Sequence, residues 1–147
     1  MLLLVPSALA VLSGISVVTQ QLLNANLRSA LSSAAWSGFA SYLVGLACMA
    51  VFALALREPP PGMGVLRQVP WWAWSGGLFG AIFIGLAILL VPQLGAATFV
   101  ALVVAGQMLA SAGFDHFGGL GLEQRPLDAT RLVGIALLIG GVVLIRR

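Results

Sequence analysis

Lysine is absent from this sequence, and charge of either sign is scarce. Seven arginines and four acidic residues make up 7% of the chain, whereas soluble domains carry roughly a quarter charged residues. The arginines are scattered, and only Arg146 and Arg147 are adjacent. A DNA- or RNA-binding face needs clustered basic residues, so no nucleic-acid partner is expected. Cys48 is the single cysteine and His116 the single histidine. One thiol excludes an intrachain disulfide and a thiolate zinc site, and Cys48 reads as a small residue buried between helices. No phosphate-cradling GxxxxGK[ST] run, metal-ligand cluster or nucleophile–base constellation is present. The expectation is a protein that is not an enzyme, with no catalytic residue, no metal and no cofactor.

What the sequence has instead is 61% hydrophobic residues, arranged in long blocks. Blocks of about 17–25 apolar residues are what a helix needs to cross hydrocarbon, and open sheets or irregular backbone cannot cross it. The expected fold class is therefore an all-α, polytopic membrane helical bundle forming one transmembrane domain over residues 1–147. Five spans are expected, at about 2–23, 34–56, 71–90, 94–114 and 131–145. The opening MLLLVPSALAVLSG has a signal-peptide-like ALA but no basic n-region, and its apolar run continues to Leu23, so a retained first helix is expected. Prolines and glycines in REPPPGMGVLRQVP punctuate spans two and three, and Val91-Pro92-Gln93 predicts a tight break before span four. The last span is short unless Arg131 and Arg146 snorkel outward from its ends.

Small residues at helical spacing predict close helix packing: Gly38, Ser41 and Gly45 in the second span, Gly76 and Gly80 in the third, with Gly77, Ala81 and Gly85 on another face. Gly134, Gly140 and Gly141 do the same in the fifth. Trp71, Trp72 and Trp74 fit an interfacial aromatic belt. With five spans, Arg57, Arg67, Arg125 and Arg131 share one side and Arg28, Arg146 and Arg147 the other. Four against three is almost no positive-inside bias. Two topologies remain open: a weak N-inside preference, or insertion in both orientations with antiparallel pairing.

Polar residues inside apolar spans carry the functional reading. Ser13, Ser16, Gln20 and Asn24 fall on one face of the first span, with Gln21 beside it. Asn26 and Arg28 read as the exit from the membrane. On the fourth span, Gln107, Ser111 and Asp115 recur every four residues on one face. The two stripes either line a polar cavity or act as interhelical hydrogen bonds worth about 0.6 kcal/mol each. The candidate solute-binding set is Gln20, Gln21, Asn24, Gln107, Ser16 and Ser111. Asp115 and His116 are candidates for ion coupling, because ionisable groups at membrane depth often mark ion or proton pathways and histidine is a side chain that can change charge near neutral pH. The alternative places both at the water boundary, with Asp115 ending the fourth helix. Glu123 and Asp128 read as solvated loop residues.

The segments GISVVTQQLLNANL, WWAWSGGLFGAIF, VPQLGAATFVALVVAGQMLASAGFDHFG and RLVGIALLIGGVVL resemble the YdcZ-like family of short, five-span proteins in the drug/metabolite transporter superfamily. The resemblance covers nearly the whole chain and is most specific at QQxxNAxL and at GQ followed by DHFG. It implies a bacterial inner-membrane transporter of a small-molecule solute, acting as an antiparallel homodimer or with a paired homologous subunit. Two five-helix units in inverted orientation would form one ten-helix transporter. The small multidrug exporters of the same superfamily use a glutamate in the first helix, and this first span has no acidic residue. That departure speaks against carrying proton–cation exchange over to the first helix, and leaves Asp115 and His116 as the candidates if protons are coupled. The amides of the first span suit a neutral or zwitterionic solute.

Overall fold

A computed structural model describes residues 4–119 and 123–145. Its elements are α1 (Leu4–Leu31), α2 (Ala34–Ala55), the short α3 (Met63–Gln68), a 3-10 turn (Trp71–Ser75), α4 (Gly76–Leu94), α5 (Ala96–Phe117) and α6 (Ala129–Ile145). The described residues contain no strand. Four stretches are long and apolar enough to cross a membrane, namely Leu4–Leu31, Ala34–Ala55, Trp71–Leu94 and Ala96–Phe117. The fifth apolar helix, α6, has 17 residues and a length of about 26 Å, somewhat under the roughly 30 Å of hydrocarbon. Arg146 and Arg147, expected beyond its end, and the expected start of the first span at Leu2 lie outside the described residues.

The chain divides into two compact units, Met1–Gln93 and Leu94–Arg147. In the first, α1 and α2 form an antiparallel hairpin. Its turn places Ser32 in the left-handed region (φ 52°), and the Ser33 N–H returns to the Arg28 carbonyl at 3.2 Å. The Ser33 hydroxyl then caps α2 by accepting the Trp36 N–H, as a serine N-cap does. Buried positions in this unit include Ala87, Ile88 and Val91 of α4, but also Gln21, Asn24 and Ser37. That inversion suits a lipid environment, where outward apolar side chains cost nothing and polar ones are better turned inward. Most large apolar side chains, Trp71, Trp72 and Trp74 among them, are exposed.

Several expectations are corrected at the helix ends. The first span does not leave the membrane helix near Asn26. α1 runs on to Leu31, and the Asn26 amide bonds back to the Leu22 carbonyl, so both Asn26 and Arg28 are helical. Nor does the chain break at Val91-Pro92-Gln93. Pro92 lies inside α4, which continues to Leu94, because the Ile88 carbonyl that proline leaves without a helix partner receives Arg28 at 2.9 Å. The break falls at Gly95, whose φ of 79° and ψ of 149° lie near a region open essentially to glycine alone. Cys48 is exposed on α2 rather than buried. Of the small-residue stripes, Gly38 and Gly80 are the positions with close neighbours. An added Cβ at Gly38 would meet Ile88 at 3.6 Å, and at Gly80 the Tyr42 hydroxyl at 2.7 Å. Gly45, Gly76, Gly77, Gly85, Gly134, Gly140 and Gly141 face open space.

The second unit is the α5–α6 hairpin. α5 ends at Phe117, beyond Asp115, and is capped by Gly118 in the left-handed region, whose N–H reaches the Phe114 carbonyl. The last turn of a helix leaves carbonyls without partners, and here the connecting loop meets them. The Arg125 N–H donates to the Asp115 carbonyl at 2.7 Å, and the Gln124 amide donates to the His116 carbonyl at 3.0 Å. Asp128 is exposed, as expected of a solvated loop residue, and also caps the next helix by accepting the Arg131 N–H at 2.7 Å.

Candidate functional site

The polar face of α1 opens onto a cleft of about 500 Å³ against α2, within the usual size of a small-molecule site. Ser16, Gln20 and Asn24 form its α1 wall together with Thr19, and Ser41 with Val44 its α2 wall. The stripe is straight because one helix presents positions four apart on one side. Its members differ in what they have free. Ser13 and Thr19 donate to carbonyls of their own helix, Ala10 and Ile15. Asn24 is buried, and its Nδ2 donates across to Ser41 Oγ at 3.1 Å. Its backbone carbonyl accepts the Ser37 hydroxyl at 2.7 Å, a bond that is itself buried. Gln20 is exposed to the cleft, and among the described residues its carboxamide has no hydrogen-bond partner. Gln21 is buried and forms no part of the cleft wall. Every side chain of the lining is uncharged.

A second cleft, of about 320 Å³, lies in the α5–α6 unit. Ser111 and Asp115 of α5 line it with Arg131 and Gly134 of α6. Asp115 Oδ2 stands 3.4 Å from Arg131 Nη1, a pair that is more than a third exposed on both sides. Gln107, two turns earlier on the same face, is exposed and lines neither cleft. His116 turns to the loop: its Nδ1 accepts the Leu127 N–H at 3.2 Å, and its ring packs edge-on to Phe117. An imidazole nitrogen that accepts must be unprotonated, so a neutral His116 carries its proton on Nε2. The histidine and the carbonyls of residues 115 and 116 thus hold residues 124–127 against the end of α5. Glu123 pairs with Arg125 at 3.3 Å on the surface.

The sequence reading missed Ser37, Ser41 and Arg131. Ser41 sits inside a small-residue stripe that reads as packing, and Arg131 reads as a topology charge and a snorkelling helix end rather than as a partner of Asp115. One local signal was available for the Arg28 contact. A proline four residues after Ile88 announces a carbonyl in need of a donor.

Residues 5–144 match the family described as "Putative inner membrane exporter, YdcZ". The chain belongs to this family. It is 29% identical to the Inner membrane protein YdcZ of Escherichia coli (strain K12) over 141 residues, which cover 95% of this chain and 94% of that protein. No solved structure gives a significant match. Family membership and the apolar helices together make this a multi-pass inner-membrane protein of a transporter family.

Proposed function

We propose that the protein is a small secondary transporter that exports an uncharged, hydrogen-bonding metabolite or xenobiotic, with Ser16, Gln20 and Asn24 as its solute contacts. The observation that carries this reading is the α1–α2 cleft, whose lining is apolar and amide-bearing and holds no charge. Its mid-span carboxamide, Gln20, is left free by the protein to meet a solute or water. A bare cation would find no counter-charge there.

The working form we propose is a dimer of inverted five-helix units. Gln20 and Gln107 are both exposed mid-span amides, and lipid offers neither donor nor acceptor to either. A second copy, or the water-filled path between two copies, supplies what lipid lacks. The near-equal split of arginines removes the usual charge barrier to insertion in both orientations. Alternating access would then rock one inverted unit against the other around a midplane site. In this reading Ser111 and Asp115, with Arg131 as the partner of the carboxylate, form the second polar site and the place where an ion could couple.

Two measurements test these statements. In proteoliposomes carrying a panel of neutral fluorescent xenobiotics, Gln20→Leu is expected to slow saturable efflux roughly tenfold, the loss of about one hydrogen bond. Unchanged efflux would remove Gln20 from the site, and efflux that never saturates would point to a passive channel. C-terminal fusions to one reporter active inside and one active outside are expected to give comparable signals. A strong signal from one reporter alone would end the dual-topology proposal.

A further inference from the structure

Pro92 lies inside α4, four residues after Ile88. In an unbroken helix the N–H of residue 92 would donate to the carbonyl of residue 88, but proline has no N–H. Ile88 is fully buried, so its carbonyl has no ready water to replace that bond, and an unmet buried acceptor is costly. The donor comes from another helix: Arg28 Nη1 of α1 sits 2.9 Å from the Ile88 oxygen. The next carbonyl along, that of Leu89, receives Gln93 Nε2 at 2.8 Å. Both carbonyls at the proline are therefore met by side chains.

Arg28 lies one turn beyond Asn24 on the helix that bears the polar wall of the cleft. Asn24 ties α1 to α2 through Ser41 and Ser37. Arg28 ties α1 to α4. We infer that Arg28 and Pro92 form one unit, a detachable hinge in which the arginine replaces the N–H that proline lacks and so positions the α1–α2 cleft against α4. A backbone N–H is fixed in its own helix, whereas a guanidinium on α1 leaves when α1 moves. With Arg28 in place, the end of α4 is held. With Arg28 withdrawn, no bond from residue 92 resists bending there, and proline is the usual seat of a helix kink. The α1–α2 hairpin, bonded at Asn24, then moves as a piece. The functional part of this inference rests on the solute-cleft reading above, but the hinge itself does not.

The test is a double-mutant cycle on the full chain in lipid nanodiscs, read by hydrogen–deuterium exchange over residues 84–95 and without any solute. Arg28→Ala is expected to speed exchange in that segment roughly tenfold or more, as loss of a charge-assisted bond implies. In a Pro92→Ala background the N–H of residue 92 meets the Ile88 carbonyl, so adding Arg28→Ala is expected to change exchange little. In a Cys48→Ala background, labelling of Ser16→Cys by a membrane-impermeant maleimide should follow the same pattern. Arg28→Ala changes its rate, and the added Pro92→Ala restores it. If Arg28→Ala alone fails to fold, the double variant is expected to fold. Equal effects of Arg28→Ala with and without Pro92, no effect at all, or a double variant that also fails to fold would each overturn the hinge. Normal transport by Gln20→Leu would overturn the cleft reading and leave the exchange result standing.

Discussion

Ser37→Leu is expected to lower the stability of the protein by about 1–3 kcal/mol, the usual cost of overpacking a filled site, and to abolish the cleft. Ser37 is fully buried in the first turn of α2, and its hydroxyl donates to the Asn24 carbonyl at 2.7 Å. A leucine there finds no space and forces α1 and α2 apart. Ser41 lies one turn further along α2, so the same separation breaks its bond from Asn24 Nδ2. Ser37→Ala removes one interhelical hydrogen bond and no volume that packing needs, so it is expected to cost only about 0.6 kcal/mol. The midpoint of SDS unfolding, followed by circular dichroism, separates the two. Leucine behaving like alanine would show that the α1–α2 contact has room to spare, and the cleft would then lack a rigid wall.

Gly95→Ala should be nearly as damaging, for a different reason. An added Cβ at Gly95 would meet no atom within 4 Å, so sterics between helices are not at issue. The cost is conformational: φ of 79° with ψ of 149° is a backbone state that L side chains avoid, at about 1–3 kcal/mol. This residue ends α4 and accepts the first bond of α5, from the Phe99 N–H at 3.0 Å. Gly45→Ala is the control of opposite sign. It is helical, it also faces open space, and alanine there is expected to be neutral or to stabilise by up to about 1 kcal/mol. SDS unfolding midpoints for the pair decide the matter. Loss of stability in both, or in neither, would mean that backbone conformation at Gly95 is not what stops α4.

The rough extent of the four long apolar helices was legible in the residues, because a bilayer leaves the backbone no partner but itself. A long apolar run therefore becomes a helix whatever lies next to it. The ends of those helices were not legible in the same way. Asn26 and Arg28 looked like an exit from the membrane, since polar side chains without partners belong near water. Asn26 finds its partner in the Leu22 carbonyl of its own helix and Arg28 in the Ile88 carbonyl of α4, and α1 continues to Leu31. Pro92 misled for the complementary reason. Its cost to α4 is real, but α1 offsets it from outside the local sequence.

Composition, motif and the helical period are local properties of the chain, and they suffice for a helical inner-membrane protein, its family, and a polar stripe on α1. Which members of that stripe are spent and which are free depends on how the helices pack. Asn24 is bound to α2, Gln21 is buried, and Gln20 is left open to the cleft. Packing likewise decides that Asp115 faces Arg131 across the α5–α6 hairpin and that His116 holds the loop. A side chain's residue type states what bonds it can make. Which of them it has already made depends on groups brought to it from elsewhere in the chain.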